Sequence, residues 1–135
     1  MPPAMPVPAD PHALGMAVGR LSNSAKKSVR TSLGIVSVLL AAGEMVECLV
    51  AGKVHDLDGV AVLTNQRVLV LNDRMWEPDQ ISFPVDAGLV VRGEAAGNTA
   101  TITIQRENLY AVVNRIADVQ LAQELAQRIR GRAVG

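Results

Sequence analysis

The residues of this 135-residue chain best suited to chemistry form one short run, His55-Asp56-Leu57-Asp58. An imidazole and two carboxylates are metal ligands by type, but a tight site needs three or four ligands converging from separate segments. The other histidine, His12, borders a proline-rich stretch, so the run is expected to be a solvated turn ending at Gly59, with no metal. Cys48 is the sole cysteine and sits in the strand pattern Val46-x-Cys48-x-Val50, where a thiol packs as a small hydrophobe. It has no intrachain disulfide partner, which fits a reducing compartment. There is no Gly-x-Ser-x-Gly, and Gly15 and Gly19 lie in a helical pattern without the Lys-Ser/Thr ending of a phosphate loop. These residues point to a chain that is not an enzyme and carries no cofactor.

Surface chemistry is the alternative. Arg67, Arg74 and Trp76 fall close together, and exposed Trp and Arg are favoured interface anchors. Lys26, Lys27 and Arg30 lie off an apolar helical stripe, giving a cationic face suited to an anionic membrane surface. From His12 to Gly43 the net charge is +4, with no acid; from Glu44 to Glu94 nine acids against four bases give −5. A basic front on an acidic body can orient a subunit, but with only three aromatic residues it does not suit nucleic acid.

The elements that would position these groups follow from periodicity. Five of the seven prolines fall in residues 1–11, a segment that cannot be helical and reads as a disordered tail. In residues 12–43, Leu14, Val18, Leu21, Ala25, Val29, Leu33, Val36 and Leu40 step by three or four. Two helices split near Asn23 are expected, with Asn23 or Ser24 capping the second and Gly43 ending it. Beyond Gly43 the period becomes two. Val46 to Ala51 makes a strand, and residues 52–59 a loop. Gly59 to Asn72 makes a hairpin turning at Asn65-Gln66, apolar on both faces. Further strands are expected over 80–85, 88–92, 99–105 and 108–114, with Pro84 marking an edge or bulge. Ala117 to Arg130 reads as a helix with Asp118 at its start and Gly131 just past its end.

About seven short strands followed by one amphipathic helix resembles the order of a pleckstrin-homology-like (PH-like) domain. Gly43-Glu44-Met45-Val46 resembles the opening strand of the bacterial members, and Leu63-Thr64-Asn65-Gln66-Arg67-Val68-Leu69 their "LTxxRll" hairpin. The resemblance covers roughly Leu33 to Arg130. It implies a mainly β fold with helices: a small β-barrel, or strongly bent sandwich, closed by the C-terminal helix over residues 44–135, with the helical arm added in front. It also implies a non-catalytic binding and assembly module, some bacterial relatives forming rings. Relatives that bind phosphoinositides use several Lys and Arg in the first loop. Here Lys53 stands there beside Asp56 and Asp58, which disfavours that ligand.

The functional expectation is therefore an interaction module that self-associates into a homo-oligomer and binds a protein or peptide partner. One face of the central strands fills the core. The other, carrying Leu49, Leu63, Leu69 and Leu71, needs a cover. Leu33, Val36 and Leu40 of the arm, from the same or a neighbouring subunit, are the natural counterpart, with Trp76 beside them. The second reading is a peripheral membrane module acting through Lys26, Lys27 and Arg30. Lacking a signal-peptide pattern and any apolar run of spanning length, the chain is expected in the cytoplasm.

Overall fold

A computed structural model describes residues 12–74 and 81–134, Val134 by its backbone alone. Three short helices, α1 (Leu14–Val18), α2 (Asn23–Ser28) and α3 (Arg30–Leu39), precede strands β1 (Val46–Val54), β2 (Leu57–Thr64) and β3 (Arg67–Asn72). Then come β4 (Ile81–Pro84), β5 (Val90–Ala96), β6 (Thr99–Arg106), β7 (Leu109–Ile116) and the helix α4 (Val119–Val134). All pairings are antiparallel, in the order β4-β3-β2-β1-β7-β6-β5. The order has two ends, β4 and β5, so the sheet is not a closed ring; the seven strands form one open sheet. Pro84 lies on the end strand β4, paired with Arg67 of β3, the edge position where strand prolines are tolerated.

The turns correct several sequence expectations. The loop expected over 52–59 is a two-residue turn: Val54 pairs with Leu57, and His55 and Asp56 take φ of 51° and 66°. Two successive positive φ values match the right-handed twist of the flanking strands. The arm has three helices rather than two. Ser22, whose hydroxyl accepts from Ala25 N–H, caps α2. α3 stops at Leu39, and Gly43, at φ 78°, shapes the turn into β1 instead of ending a helix. β5 runs on to Ala96, leaving Gly97-Asn98 as the turn. Gly131 lies inside α4; Arg132, one residue on, donates to the Thr64 and Asn65 carbonyls at 2.6 and 2.9 Å. Those contacts tie the last turn of α4 to the β2–β3 hairpin.

Both faces of the central hairpin are covered, as its two-sided apolar pattern requires. Every residue from Gly59 to Thr64 and from Val68 to Asn72 is buried. α1 and α2 lie on β1 and α3 on β2, while α4 packs on β1, β5 and β6. Two glycines permit this. Gly52 and Gly59 face each other across β1 and β2. A Cβ at Gly52 would lie 2.5 Å from the Asn114 carbonyl oxygen, and one at Gly59 2.5 Å from that of Leu71. The backbones come together where a side chain would not fit, beside the only ladder pair joining β1 to β7, Lys53 with Asn114.

The two motifs quoted for the resemblance meet in space. Glu44 is fully buried, and its carboxylate accepts from Arg67 Nε at 2.9 Å and Nη2 at 3.0 Å. It also accepts from Ala41 N–H at 2.9 Å and the Thr64 hydroxyl at 2.6 Å. Arg67 Nη2 donates in addition to the Leu39 carbonyl at 2.7 Å, at the end of α3. The Asn65 side chain accepts from Met45 N–H, and Asn65 N–H donates to the Met45 carbonyl, both at 2.9 Å. Burial alone would raise the Glu44 carboxyl, but the Arg67, Ala41 and Thr64 donors outweigh it and hold the group at about 2.

Gly52→Ala should lower unfolding stability by about 1–3 kcal/mol, read as a fall in the urea midpoint, because the added methyl would meet the Asn114 backbone carbonyl. The Glu44 carboxyl, depressed from an ordinary 4.5 to about 2, stabilises the fold above pH 4.5. That contribution, on the order of 3 kcal/mol, disappears as the pH falls from there toward 2. Arg67→Met leaves the carboxylate buried without its cation. It should cost about 3–5 kcal/mol and move the midpoint of acid unfolding to higher pH, followed by circular dichroism.

Candidate functional site: the β5 edge and the α4 cleft

The residues singled out in the sequence separate into three places. Leu49, Leu63, Leu69 and Leu71 are all fully buried, but they do not share one face: Leu63 pairs with Cys48 and Val68, whereas Leu49 and Leu69 pair with Val62 and Leu71 with Val60, so strand alternation puts Leu63 on the opposite side. Val36 and Leu40 are buried and Leu33 half-buried on the arm. The cover for the apolar outer face is thus the arm of the same chain. Lys27 and Arg30 are exposed and Lys26 half-buried. Trp76 lies outside the described residues, so its grouping with Arg67 and Arg74 does too; Arg67 belongs to the Glu44 network and Arg74 is exposed.

The His55 run does not converge. His55 and Asp56 are the exposed tips of the β1–β2 turn, while Asp58 accepts from Lys53 Nζ at 2.7 Å. Among the described residues no three His, Cys, Asp or Glu side chains are grouped to hold a metal. Cys48 is 1% exposed. Burial, and then the Glu124 carboxylate nearby, push its thiol up to about 11. Glu124 itself is held at about 2, first by Arg20, whose two guanidinium nitrogens donate to it at 2.6 Å, and further by Arg128 at 2.9 Å. Together with Ser22 N–H donating to Asp118 at 3.2 Å, this pair pins the arm to α4.

What periodicity did not single out is the far end of the sheet. Among the described residues β5 is hydrogen-bonded to β6 alone and ends the strand order. From Arg92 to Ala96 every residue is exposed. Beside it runs a cleft of about 360 Å³ between β5–β6 and α4. Its strand side combines small and apolar residues, Gly93, Ala95, Ala100 and Ile102, with Glu94 and Thr101, and Ala122 and Ala126 face it from the helix. Gln123, Gln127 and Arg130 line the helix side with polar groups. Arg130 Nη2 donates to the Val91 carbonyl at 3.2 Å, holding the end of the helix against the strand.

The small residues explain the cleft. Ala at 122 and 126, one turn apart, keep α4 narrow over Gly93, where a Cβ would still lie 3.8 Å from that of Ala126. An edge strand presents a row of backbone donors and acceptors, and here an apolar trough with amide side chains lies alongside. Such an arrangement accepts an extended segment, its main chain bonding to the edge and alternate side chains entering the trough. A sequence signal existed in the alanine spacing of α4, but it reads equally as ordinary helix packing. Only the strand order shows that this face lies beside an open edge.

Cys48 gives a direct check on the packing around α4. At 1% exposure and a thiol near 11, it should not react with a thiol-specific disulfide reagent at pH 8 in native buffer, and should react stoichiometrically in denaturing urea. Fast native labelling would mean that α1 and α4 part from β1. Among the described residues no helix is long and apolar enough to cross a membrane. No protein-family model matches this sequence, and no curated protein is significantly similar to it.

Proposed function

We propose that this chain is a non-catalytic interaction module of PH-like fold, which takes up an extended protein or peptide segment on β5 and assembles through the same edge. The observation that carries the reading is the exposed end strand β5 lying beside the small-residue cleft under α4. Soluble proteins ordinarily shield such edges with proline, bulges or a covering element. From Arg92 to Ala96 there is no proline, and the strand is in regular register with β6 throughout. The antiparallel strand order ending in a helix that packs across β1, β5 and β6 supports the PH-like assignment. With the arm folded onto its own sheet, the assembly surface moves from the arm to β5.

The membrane reading has one observation in its favour. Lys27 on α2 and Arg30 on α3 are exposed and form no ion pair among the described residues, and Val38, also on α3, is 83% exposed. Two such cations supply on the order of 1 kcal/mol each near an anionic surface, and one valine adds little insertion. The sum is too small for stable binding by a single chain, so this reading stands second.

A displayed library of random peptides, selected against the full chain, tests the first reading. Selected peptides should bind the unmodified protein and lose about tenfold or more in affinity to Ala95→Leu, whose side chain fills the trough; Lys27→Glu/Arg30→Glu should leave binding unchanged. Binders indifferent to Ala95→Leu would overturn the β5 assignment. Sedimentation with phosphatidylserine vesicles that is abolished by Lys27→Glu/Arg30→Glu would put the membrane reading first.

A further inference from the structure

We infer that the natural occupant of the β5 edge is the β5 of a second copy of this chain, paired antiparallel about a two-fold axis at Gly93. The inference rests on the edge reading above and names its partner.

The strand Val90-Val91-Arg92-Gly93-Glu94-Ala95-Ala96 has opposite charges placed symmetrically about a glycine. In a two-fold antiparallel pairing each contact occurs twice, residue i with j and j with i. Centred on Gly93, Arg92 of each copy lies directly opposite Glu94 of the other, and Val91 opposite Ala95. Centring on Arg92 or Glu94 would oppose like charges. Centring between residues would set each charge against an uncharged residue or turn the two α4 helices to opposite faces. One register satisfies both charges.

The faces agree. Gly93 looks toward Ala126 of α4, so by strand alternation Arg92 and Glu94 project from the opposite, solvent side. Both are exposed, and neither has an ion pair among the described residues. The neighbouring cross-strand residues on β6, Thr103 and Thr101, carry no charge. Two charges two positions apart on one strand are left without a partner that a second copy would supply.

Gly93 is the third observation. Glycine weakens a strand interior and commonly marks a close approach of another backbone. Within one chain nothing demands it: its φ is not positive, and an added Cβ would make only ordinary contact with Ala126 at 3.8 Å. A two-fold axis at this residue brings two strands and two α4 helices together there, where absence of a side chain has a use.

Analytical ultracentrifugation of the full chain tests the pairing. The unmodified protein should sediment as a dimer in reversible equilibrium. R92E and E94R each put like charges opposite one another twice, and each should raise the dissociation constant by about tenfold or more. The double exchange R92E/E94R restores opposite charges and should restore the dimer. Mixing R92E with E94R should give a 1:1 heterodimer at concentrations where each alone is monomeric. Because these side chains are exposed, circular dichroism spectra should be unchanged throughout. A protein monomeric at all concentrations, or a dimer indifferent to both single variants, would overturn the self-pairing. The peptide selection with Ala95→Leu decides the edge reading separately, since a monomer that still takes up peptides at the trough sinks only the present inference.

Discussion

The buried pair of Glu44 and Arg67 is the contact on which the arrangement of this chain depends. A carboxylate taken fully out of water is costly unless its oxygens are filled with donors. Here four donors fill them, from the arm's exit at Ala41, the end of β2 at Thr64 and the start of β3 at Arg67. Arg67 then reaches the last carbonyl-bearing turn of α3 through Leu39. One ion pair thus fixes the turn before β1, the β2–β3 hairpin and the end of the arm relative to each other. Its geometry specifies more than it stabilises, since a well-packed apolar substitute could hold the same volume but not the same register.

The apolar contacts work within that frame. A hairpin buried on both faces needs two covers, and the chain supplies α1–α3 for one region and α4 for another. Arg20 with Glu124, and Asp118 with Ser22, join the covers to each other along their exposed seam. Such pairs add little energy at a surface, but they determine which helix lies beside which. The paired glycines at 52 and 59 let the strands approach closely enough for the covers to meet.

Much of this was legible in the residues. The two-sided valine and leucine pattern of residues 59–72, the amphipathic α4 and the edge proline at 84 each follow from periodicity and backbone chemistry, and the structure has them. The β1–β2 turn was not, because Gly52 and Gly59 read as loop punctuation, whereas they are strand residues facing each other. The break at Val29 was hidden in an unbroken apolar stripe. Glu44 and Arg67 stood in quoted motifs, but a period-two reading says nothing about which charged residues will meet across 23 positions. The candidate site was least visible of all. Its essential property is that β5 lies last in the strand order, and order in a sheet is set by long-range pairing.

The single ladder pair between Lys53 and Asn114 has a mechanical meaning. The strands β1–β4 and β5–β7 are each laced by several consecutive pairs, but the seam between them is laced by one. Across this seam α4 touches β1 on one side and β5 and β6 on the other, like a splint over a hinge. The two half-sheets are therefore held together less by shared ladder bonds than by β1 lying alongside β7 and by α4 spanning both.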